Sequence, residues 1–163
     1  MLCLSALYLS ACASPSLDAT LDKASLQENR YELSDNYANH RLQQRLVPTS
    51  GGSLGVIDVG QGPALVLIHG VPTSSWLFRK MITELQHDFR VIAIDLLGFG
   101  GSDKPKSADN NYLPSAQATY VHQVLDALGV EDYNLLFHDM GGLVSWELLR
   151  NCLLYTSPSP RDS

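Results

Sequence analysis

The chain has 163 residues, enough for one domain of ordinary size. Hydrophobic residues make up 45% and charged residues 17%, a composition that is typical of globular proteins and excludes a disordered chain. The net charge is −6 and the chain contains no basic patch, so the sequence disfavours nucleic acid as a partner.

The chain opens with an apolar segment, MLCLSALYLSAC, which is too short to cross a bilayer as a helix. Its end, LSAC, resembles a bacterial lipobox, in which Cys12 would be lipidated. We therefore predict that residues 1–12 are a signal peptide and that Cys12 anchors the protein to a membrane of the bacterial cell envelope. The basic start of a signal peptide is missing, and a plain cleaved signal for a periplasmic or secreted protein is the alternative.

The region after the lipobox changes from polar to regularly apolar. Residues 13–39 are polar with little periodicity, which predicts a tether. HRLQQRLV, residues 40–47, is predicted as a first strand. SLGVIDVG, residues 53–60, alternates apolar and polar side chains, which predicts a strand with one buried face. ALVLI, residues 64–68, is continuously apolar and typical of a strand buried on both faces.

A helix is predicted within HGVPTSSWLFRKMITELQ, residues 69–86. Thr73 or Ser74 can cap its start. Three apolar residues recur at helical spacing and are predicted to form its core-facing stripe: Leu77, Met81 and Leu85.

The remaining elements alternate between strand and helix. FRVIAID, residues 89–95, is predicted as a buried strand. A helix over about residues 113–128 follows a glycine-rich loop and ends at Gly129. YNLLF, residues 133–137, is another buried strand, and GGLVSWELLR, residues 141–150, begins another helix. This alternation predicts an α/β fold with a mostly parallel sheet. The core face of the first of these helices is predicted to carry Val121, Val124, Leu125 and Leu128.

Three motifs follow one another in a fixed order: HGVPTSSW from His69, DLLGFGGSDKP from Asp95 and FHDMGG from Phe137. In this order and spacing they resemble the α/β-hydrolase superfamily, in the branch of haloalkane dehalogenases and epoxide hydrolases, whose nucleophile is an aspartate. The resemblance covers roughly residues 50–150. It implies that residues 40–151 are the N-terminal half of such a fold, in a hydrolase with a small-molecule substrate and no cofactor.

The resemblance implies that Asp139 is the nucleophile, on a sharp turn between a strand and a helix. Gly141 and Gly142 would let that helix approach the sheet closely, and the helix N-terminus favours an ionised carboxylate. A carboxylate that attacks an sp³ carbon bearing a halide or a strained oxygen forms an ester, which activated water can cleave. The structural alternative is an ordinary turn aspartate that caps the helix.

The resemblance also implies an oxyanion site made of the backbone N–H groups of Val71 and Met140. Neither side chain can donate a hydrogen bond, whereas haloalkane dehalogenases typically hold the leaving halide with donors at these positions. Phe137 stands where the family usually has a small residue. These departures weaken the dehalogenase interpretation. An ester- or lactone-cleaving hydrolase and a non-catalytic binding protein on the same fold also remain open.

Other polar features have ordinary structural interpretations. GFGG, residues 98–101, follows a strand, but no helix opens behind it, so it lacks the geometry of a dinucleotide loop. His69 is expected to shape its loop. The side chain of His138 is expected to point away from Asp139, and His122 is expected at a helix surface. No spacing of histidine, cysteine and aspartate predicts a metal site.

The tail, residues 152–163, reads CLLYTSPSPRDS. Residues 152–162 match a translated transposase-type sequencing adapter, which we interpret as an artefact in place of a natural Ser/Pro-rich tail. The resemblance implies that the catalytic acid, the catalytic histidine and a lid follow the nucleophile, and we expect all three beyond Arg150. We therefore expect this chain to show no turnover. We also expect poor solubility, because YNLLF would form an exposed sheet edge.

Overall fold

The computed structural model describes residues 30–106 and 112–156, with the backbone alone described for 151–156. The predicted signal peptide with Cys12, residues 13–29 of the predicted tether and the tail from residue 157 lie outside the described residues. In chain order the elements are α1 (Tyr37–Leu42), β1 (Arg45–Thr49), β2 (Gly52–Val59), β3 (Ala64–Ile68), a 3-10 turn (Ser75–Phe78), α2 (Arg79–Leu85), β4 (Arg90–Ile94), α3 (Pro114–Ala127), β5 (Asn134–Phe137) and α4 (Gly141–Thr156).

The strands form one mixed sheet in the order β1-β2-β4-β3-β5. β1 pairs with β2 and β2 with β4 in antiparallel fashion, while β3 pairs with β4 and β5 in parallel. The predicted α/β fold class is confirmed, and the parallel part is β4-β3-β5. In this part Ile68 is level with Ile94 and with Phe137, so the three strands end at the same edge. The loops that follow them therefore meet there.

Apolar side chains cover both faces of the sheet. On one face α3 and α4 pack over a core that includes Ile68, Ile94 and Val121. On the other face the 3-10 turn and α2 pack over a core that includes Leu67 and Ile82. The sheet is thus enclosed on both sides, as is usual for a parallel sheet with crossover helices.

β2 is buried on both faces, so the prediction of a single buried face for this strand is wrong. Leu54 and Val56 belong to the core under α3 and α4, whereas Ile57 and Val59 belong to the core under α2. The alternation in the sequence depended on Asp58 and the glycines. The strand lies between β1 and β4 in a sheet that is covered on both sides.

Residues 40–47 do not form one strand as predicted. The segment begins inside α1, a helix of six residues whose N-cap is Asn36; the Asn36 side chain accepts from the N–H of Ala38 at 2.9 Å. Strand β1 starts only at Arg45. A helix of this length shows too little periodicity to be recognised. The packed chain also begins earlier than expected, because Tyr31 and His40 are buried. The predicted tether therefore ends before Tyr31.

The prediction for the core-facing stripe of α2 is confirmed at Leu85, which is partly buried against the core, and is wrong at Leu77 and Met81. Phe78 and Ile82 are buried, whereas Leu77 and Met81 are each 38% exposed. Ser74 caps the 3-10 turn that precedes α2, accepting from the N–H of Trp76, in line with its predicted role. A 3-10 helix has three residues per turn instead of 3.6, so it changes which side chains of the following helix face the sheet. The sequence does not reveal this change.

The third helix, α3, agrees with its prediction. Val121, Val124 and Leu125 are buried on its inner face. Gly129 ends the helix with a positive φ of 63°, and the N–H of Val130 donates to the carbonyl of Leu125 at 3.0 Å. This pair of features is the usual glycine-dependent helix end.

Candidate active site

Asp139 occupies the turn between β5 and α4. Its φ is 52°, in the left-handed region that non-glycine residues rarely adopt and that aspartate tolerates better than most. The turn is closed by the N–H of Gly141, which donates to His138 O at 3.0 Å, and by the N–H of Gly142, which donates to Asp139 O at 2.9 Å. The side chain is exposed above the ends of the parallel strands.

Two glycines permit the close packing around this turn. A Cβ on Gly141 would lie 2.5 Å from Ile68 O, so α4 can approach the end of β3 only with glycine there. A Cβ on Gly70 would lie 2.5 Å from both the Cβ and Oδ2 of Asp139. Because these distances are shorter than any real contact, both positions require glycine. The packing brings the loop after β3 against the Asp139 carboxylate.

The structure places the predicted site residues together. The backbone N–H of Val71 donates to Oδ2 of Asp139 at 3.0 Å. The backbone N–H of Met140 also binds the carboxylate, and these two donors, Met140 first, hold the pKa of Asp139 below its usual 3.8. The carboxylate is therefore ionised at neutral pH. Its Oδ2 already lies at the Val71 N–H, one of the two groups predicted to form the oxyanion site.

His69 fixes the start of the loop that carries Val71. It is fully buried, and its Nε2 accepts from the N–H of Leu96 at 3.0 Å. Its Nδ1 lies 2.7 Å from Gly70 O and therefore carries the proton that it donates to that carbonyl. Burial lowers the pKa of His69, so the imidazole is neutral. Both nitrogens are occupied, which agrees with the expected loop-shaping role.

A buried polar network lies behind the same loop, and sequence reasoning missed it. His40, Ser75 and Asp95 are all fully buried and joined by hydrogen bonds. In the sequence, His40 lies in a predicted strand, Ser75 lies in the HGVPTSSW motif and Asp95 ends a predicted strand. No spacing in the sequence connects them.

The remaining predicted features are placed as follows. His138 is exposed beside Asp139, and His122 lies on α3 with its Nε2 3.7 Å from Asp126. The ring of Phe137 lies 3.2 Å from the position that a Cβ on Gly142 would take, so this glycine accommodates the large side chain.

In the glycine-rich loop after β4, the N–H of Gly101 donates to Oδ2 of Asp95 at 2.6 Å, and α3 begins at Pro114. No group of three or more histidine, cysteine or acidic side chains in the described ranges could hold a metal ion. Within residues 30–106 and 112–156, no helix is long and apolar enough to cross a membrane.

A cavity of about 370 Å³ lies beside Met140. Its polar side chains have hydrogen-bond partners in the protein: Gln117 binds the backbone N–H and carbonyl of Leu97, the hydroxyl of Tyr112 binds Pro105 O, and Nζ of Lys104 donates to the carbonyls of Gly100 and Ser102. The cavity therefore offers a mainly apolar surface. It is lined by Leu96, Gly98, Phe99, Lys104, Tyr112, Pro114, Gln117, Met140 and Val144.

Comparison with known proteins matches residues 63–151 to the family described as alpha/beta hydrolase fold. Haloalkane dehalogenase 2 of Mycobacterium bovis is 36% identical over 104 residues, which cover 64% of this chain and 36% of the relative. Mesoderm-specific transcript protein of Mus musculus is 46% identical over 100 residues, 60% of this chain and 29% of the relative. The structure of an epoxide hydrolase from Vigna radiata matches with a TM-score of 0.60 and 31% identity, covering 64% and 34% of the two chains.

The family match covers more than half of the chain, which therefore belongs to the alpha/beta hydrolase fold family. Its homologues include haloalkane dehalogenases and epoxide hydrolases, which are hydrolases of this fold. The chain spans 34% to 36% of the length of the first two curated relatives that it matches.

Proposed function

We propose that this chain carries the nucleophile and the oxyanion site of a hydrolase that attacks sp³ carbon, with Asp139 as the nucleophile. The observation that carries the proposal is the pair of N–H groups, from Val71 and Met140, on the Asp139 carboxylate. Family membership supports the reaction class, and the names of the dehalogenase and epoxide hydrolase relatives support the substrate class.

The chemistry follows from an ionised carboxylate with one oxygen held. The other oxygen of Asp139 attacks the substrate carbon and forms a new C–O bond. The electrons of the breaking bond leave with the epoxide oxygen, which takes a proton from water, or with a halide ion. The product of this step is an ester of Asp139. When water later adds to the ester carbonyl, the N–H groups of Val71 and Met140 would stabilise the resulting oxyanion, typically by a few kcal/mol.

The cavity beside Met140 supports substrates with an apolar substituent. Met140 contributes its N–H to the carboxylate and lines the cavity as well. Since Gln117, Tyr112 and Lys104 in the lining already bind backbone groups of the protein, the remaining lining is apolar and suits an apolar substituent. We therefore propose aryl- or alkyl-substituted epoxides and alkyl halides as substrates.

The proposal is tested by covalent labelling. The purified chain is incubated with an aryl epoxide or an alkyl bromide, and the intact mass is measured, followed by peptide mapping. We expect one adduct per chain, on Asp139. In line with the expectation of no turnover, the adduct should persist. Asp139→Asn should abolish the adduct, and Asp88→Asn, at another exposed aspartate, should leave it unchanged.

Other outcomes would separate the alternatives. An absent adduct, or one spread equally over exposed carboxylates, would favour a non-catalytic binding protein. Cleavage of an aryl ester without any adduct from the epoxide or bromide would favour the ester-cleaving alternative. Steady release of diol or bromide, abolished by Asp139→Ala, would show turnover and contradict the expectation that the reaction stops at the ester.

A further inference from the structure

The N-terminal strap, residues 31–44, is fastened to the domain through Tyr31. The N–H of Tyr31 donates to Oε1 of Gln86 at 2.7 Å, and its carbonyl accepts from Nε2 of the same side chain at 3.0 Å. Its hydroxyl lies 2.7 Å from Nδ1 of His40. Tyr31 and His40 are 1% and 0% exposed, so the strap is part of the packed domain.

Residues of the strap and Asp95, which directly follows β4, all form hydrogen bonds with Ser75. Nε2 of His40 lies 2.9 Å from the Ser75 hydroxyl oxygen, and Nε2 of Gln44 donates to the same oxygen at 3.0 Å. Gln44 also donates to Oδ2 of Asp95 at 2.7 Å. The backbone N–H of Ser75 donates to Oδ1 of Asp95 at 2.6 Å. Ser75 is therefore held by one hydrogen bond at its backbone N–H, with Asp95, and by two at its hydroxyl, with His40 and Gln44.

The loop between Gly70 and Ser75 has little freedom of its own. Pro72 restricts the backbone immediately after Val71. The N–H and hydroxyl of Thr73 both donate to Gly70 O, at 3.1 and 2.9 Å. A displacement of Ser75 would therefore be passed along the loop to Val71, because a short, internally bonded loop moves as a unit.

We propose that Ser75 is a positioning residue for the oxyanion site. Bound by His40, Gln44 and Asp95, it sets the place of the Val71 N–H on the Asp139 carboxylate. This inference rests on the proposed function of Asp139. The strap thereby becomes part of the reactive site's support, although it does not touch the substrate.

The test compares two neighbouring serines in the full chain. Ser75→Ala removes the hydroxyl to which the strap binds. Ser74→Ala is the matched control, because its hydroxyl only accepts from the N–H of Trp76 at 3.4 Å. The readouts are the amide proton shift of Val71 by NMR, the rate of Asp139 alkylation and the thermal unfolding temperature. The shift in Asp139→Ala gives the reference for a Val71 N–H that has lost its carboxylate partner.

In Ser75→Ala we expect the Val71 resonance to move toward its position in Asp139→Ala. Alkylation should slow about tenfold, because a carboxylate that the Val71 N–H holds less firmly is less well aligned for attack. Ser74→Ala should leave both readouts unchanged. An unchanged Val71 resonance in Ser75→Ala, or an equal change in Ser74→Ala, would overturn the proposal.

A second pair of variants decides the matter if Ser75→Ala does not fold. His40→Gln can still reach Ser75 with its amide, whereas His40→Leu cannot, so only the leucine variant should shift the Val71 resonance. A wild-type chain that is not alkylated would refute the nucleophile proposal. The Val71 resonance would still report whether Ser75 positions the loop.

Discussion

At the scale of single residues, Asp139 combines features that are individually costly. Its left-handed backbone conformation costs less for glycine than for aspartate. Its carboxylate also packs so close to Gly70 that a Cβ at position 70 would collide with it. The N–H groups of Met140 and Val71 offset part of that cost by binding the charge. Backbone strain that is retained at an exposed acidic residue favours the proposal of a nucleophile over a simple helix cap.

His40 is the residue whose protonation should affect stability most directly. Burial lowers its pKa from 6.5 to about 4, with Asp95 opposing that shift and Arg79 and Arg41 adding to it. As the pH falls through this window, the unfolded chain takes up a proton that the folded chain does not. The free energy of unfolding should therefore decrease between pH 6.5 and about 4. The expected loss from His40 is up to about 3 kcal/mol.

Urea unfolding followed by fluorescence, at about pH 7 and about pH 4.5, measures this loss in the wild type and in His40→Gln. His69 is also neutral through burial and contributes in the same direction in both proteins. The difference between the two pH dependences therefore belongs to His40. Equal pH dependences would show that His40 is not held neutral by the fold.

The sequence predicted which residues would meet at the candidate site far better than it predicted the residues that hold them in place. Asp139, Val71 and Met140 lie inside short motifs, and the residues of each motif largely determine its local backbone geometry. The support joins residues that are distant in the chain: His40 and Ser75 are 35 positions apart, Ser75 and Asp95 20. Contacts between residues 20 or more positions apart depend on how the strands and loops assemble. The spacing of residues within a short segment does not predict them.

At the scale of elements, α2 shows how a short irregular turn decides which residues are buried. Two sets of apolar residues fit the helical spacing, and the 3-10 turn before α2 selects the one that contains Phe78 and Ile82. The Ile82 side chain of α2 is fully buried against the sheet, whereas Met81 is 38% exposed. Their neighbouring positions permit a direct comparison of the two faces.

Ile82→Ala should lower the free energy of unfolding by about 2–5 kcal/mol, because it leaves a cavity in a packed core. Met81→Ala should lower it by less than about 1 kcal/mol, since little buried surface is lost. Chemical denaturation of both variants measures the difference. A larger loss in Met81→Ala would mean that the core-facing stripe contains Met81, as predicted, and not Ile82.

The elements themselves were largely predictable where they were long or bounded by strong signals. α3 has a regular apolar face and a glycine end, and β3 is a continuous apolar run. The misjudged elements are α1, with six residues, and β2, where Asp58 interrupts an otherwise apolar strand. The buried Asp58 is paired with Arg45 and Arg90, and such compensation across strands is invisible to a pattern of polar and apolar residues.

At the scale of the whole molecule, an exposed apolar surface lies beside the candidate site, where β5 ends and α4 begins. We define the α4 surface as Phe137, Leu143 and Trp146, which are 53%, 57% and 68% exposed. Leu143 and Trp146 are three residues apart and share one side of the helix. Among the described residues β5 pairs only with β3, so an open strand edge adjoins this surface.

Exposed apolar surface beside an open strand edge favours self-association. We expect the chain at micromolar concentrations to sediment as species larger than a monomer. Trp146→Glu, which places a charge in the α4 surface, should shift the distribution toward monomer. Leu42→Glu adds the same charge at an 83% exposed leucine of α1, away from that surface, and should have little effect. A monomeric wild type with a cooperative thermal transition, or equal effects of both substitutions, would show that the α4 surface does not drive association.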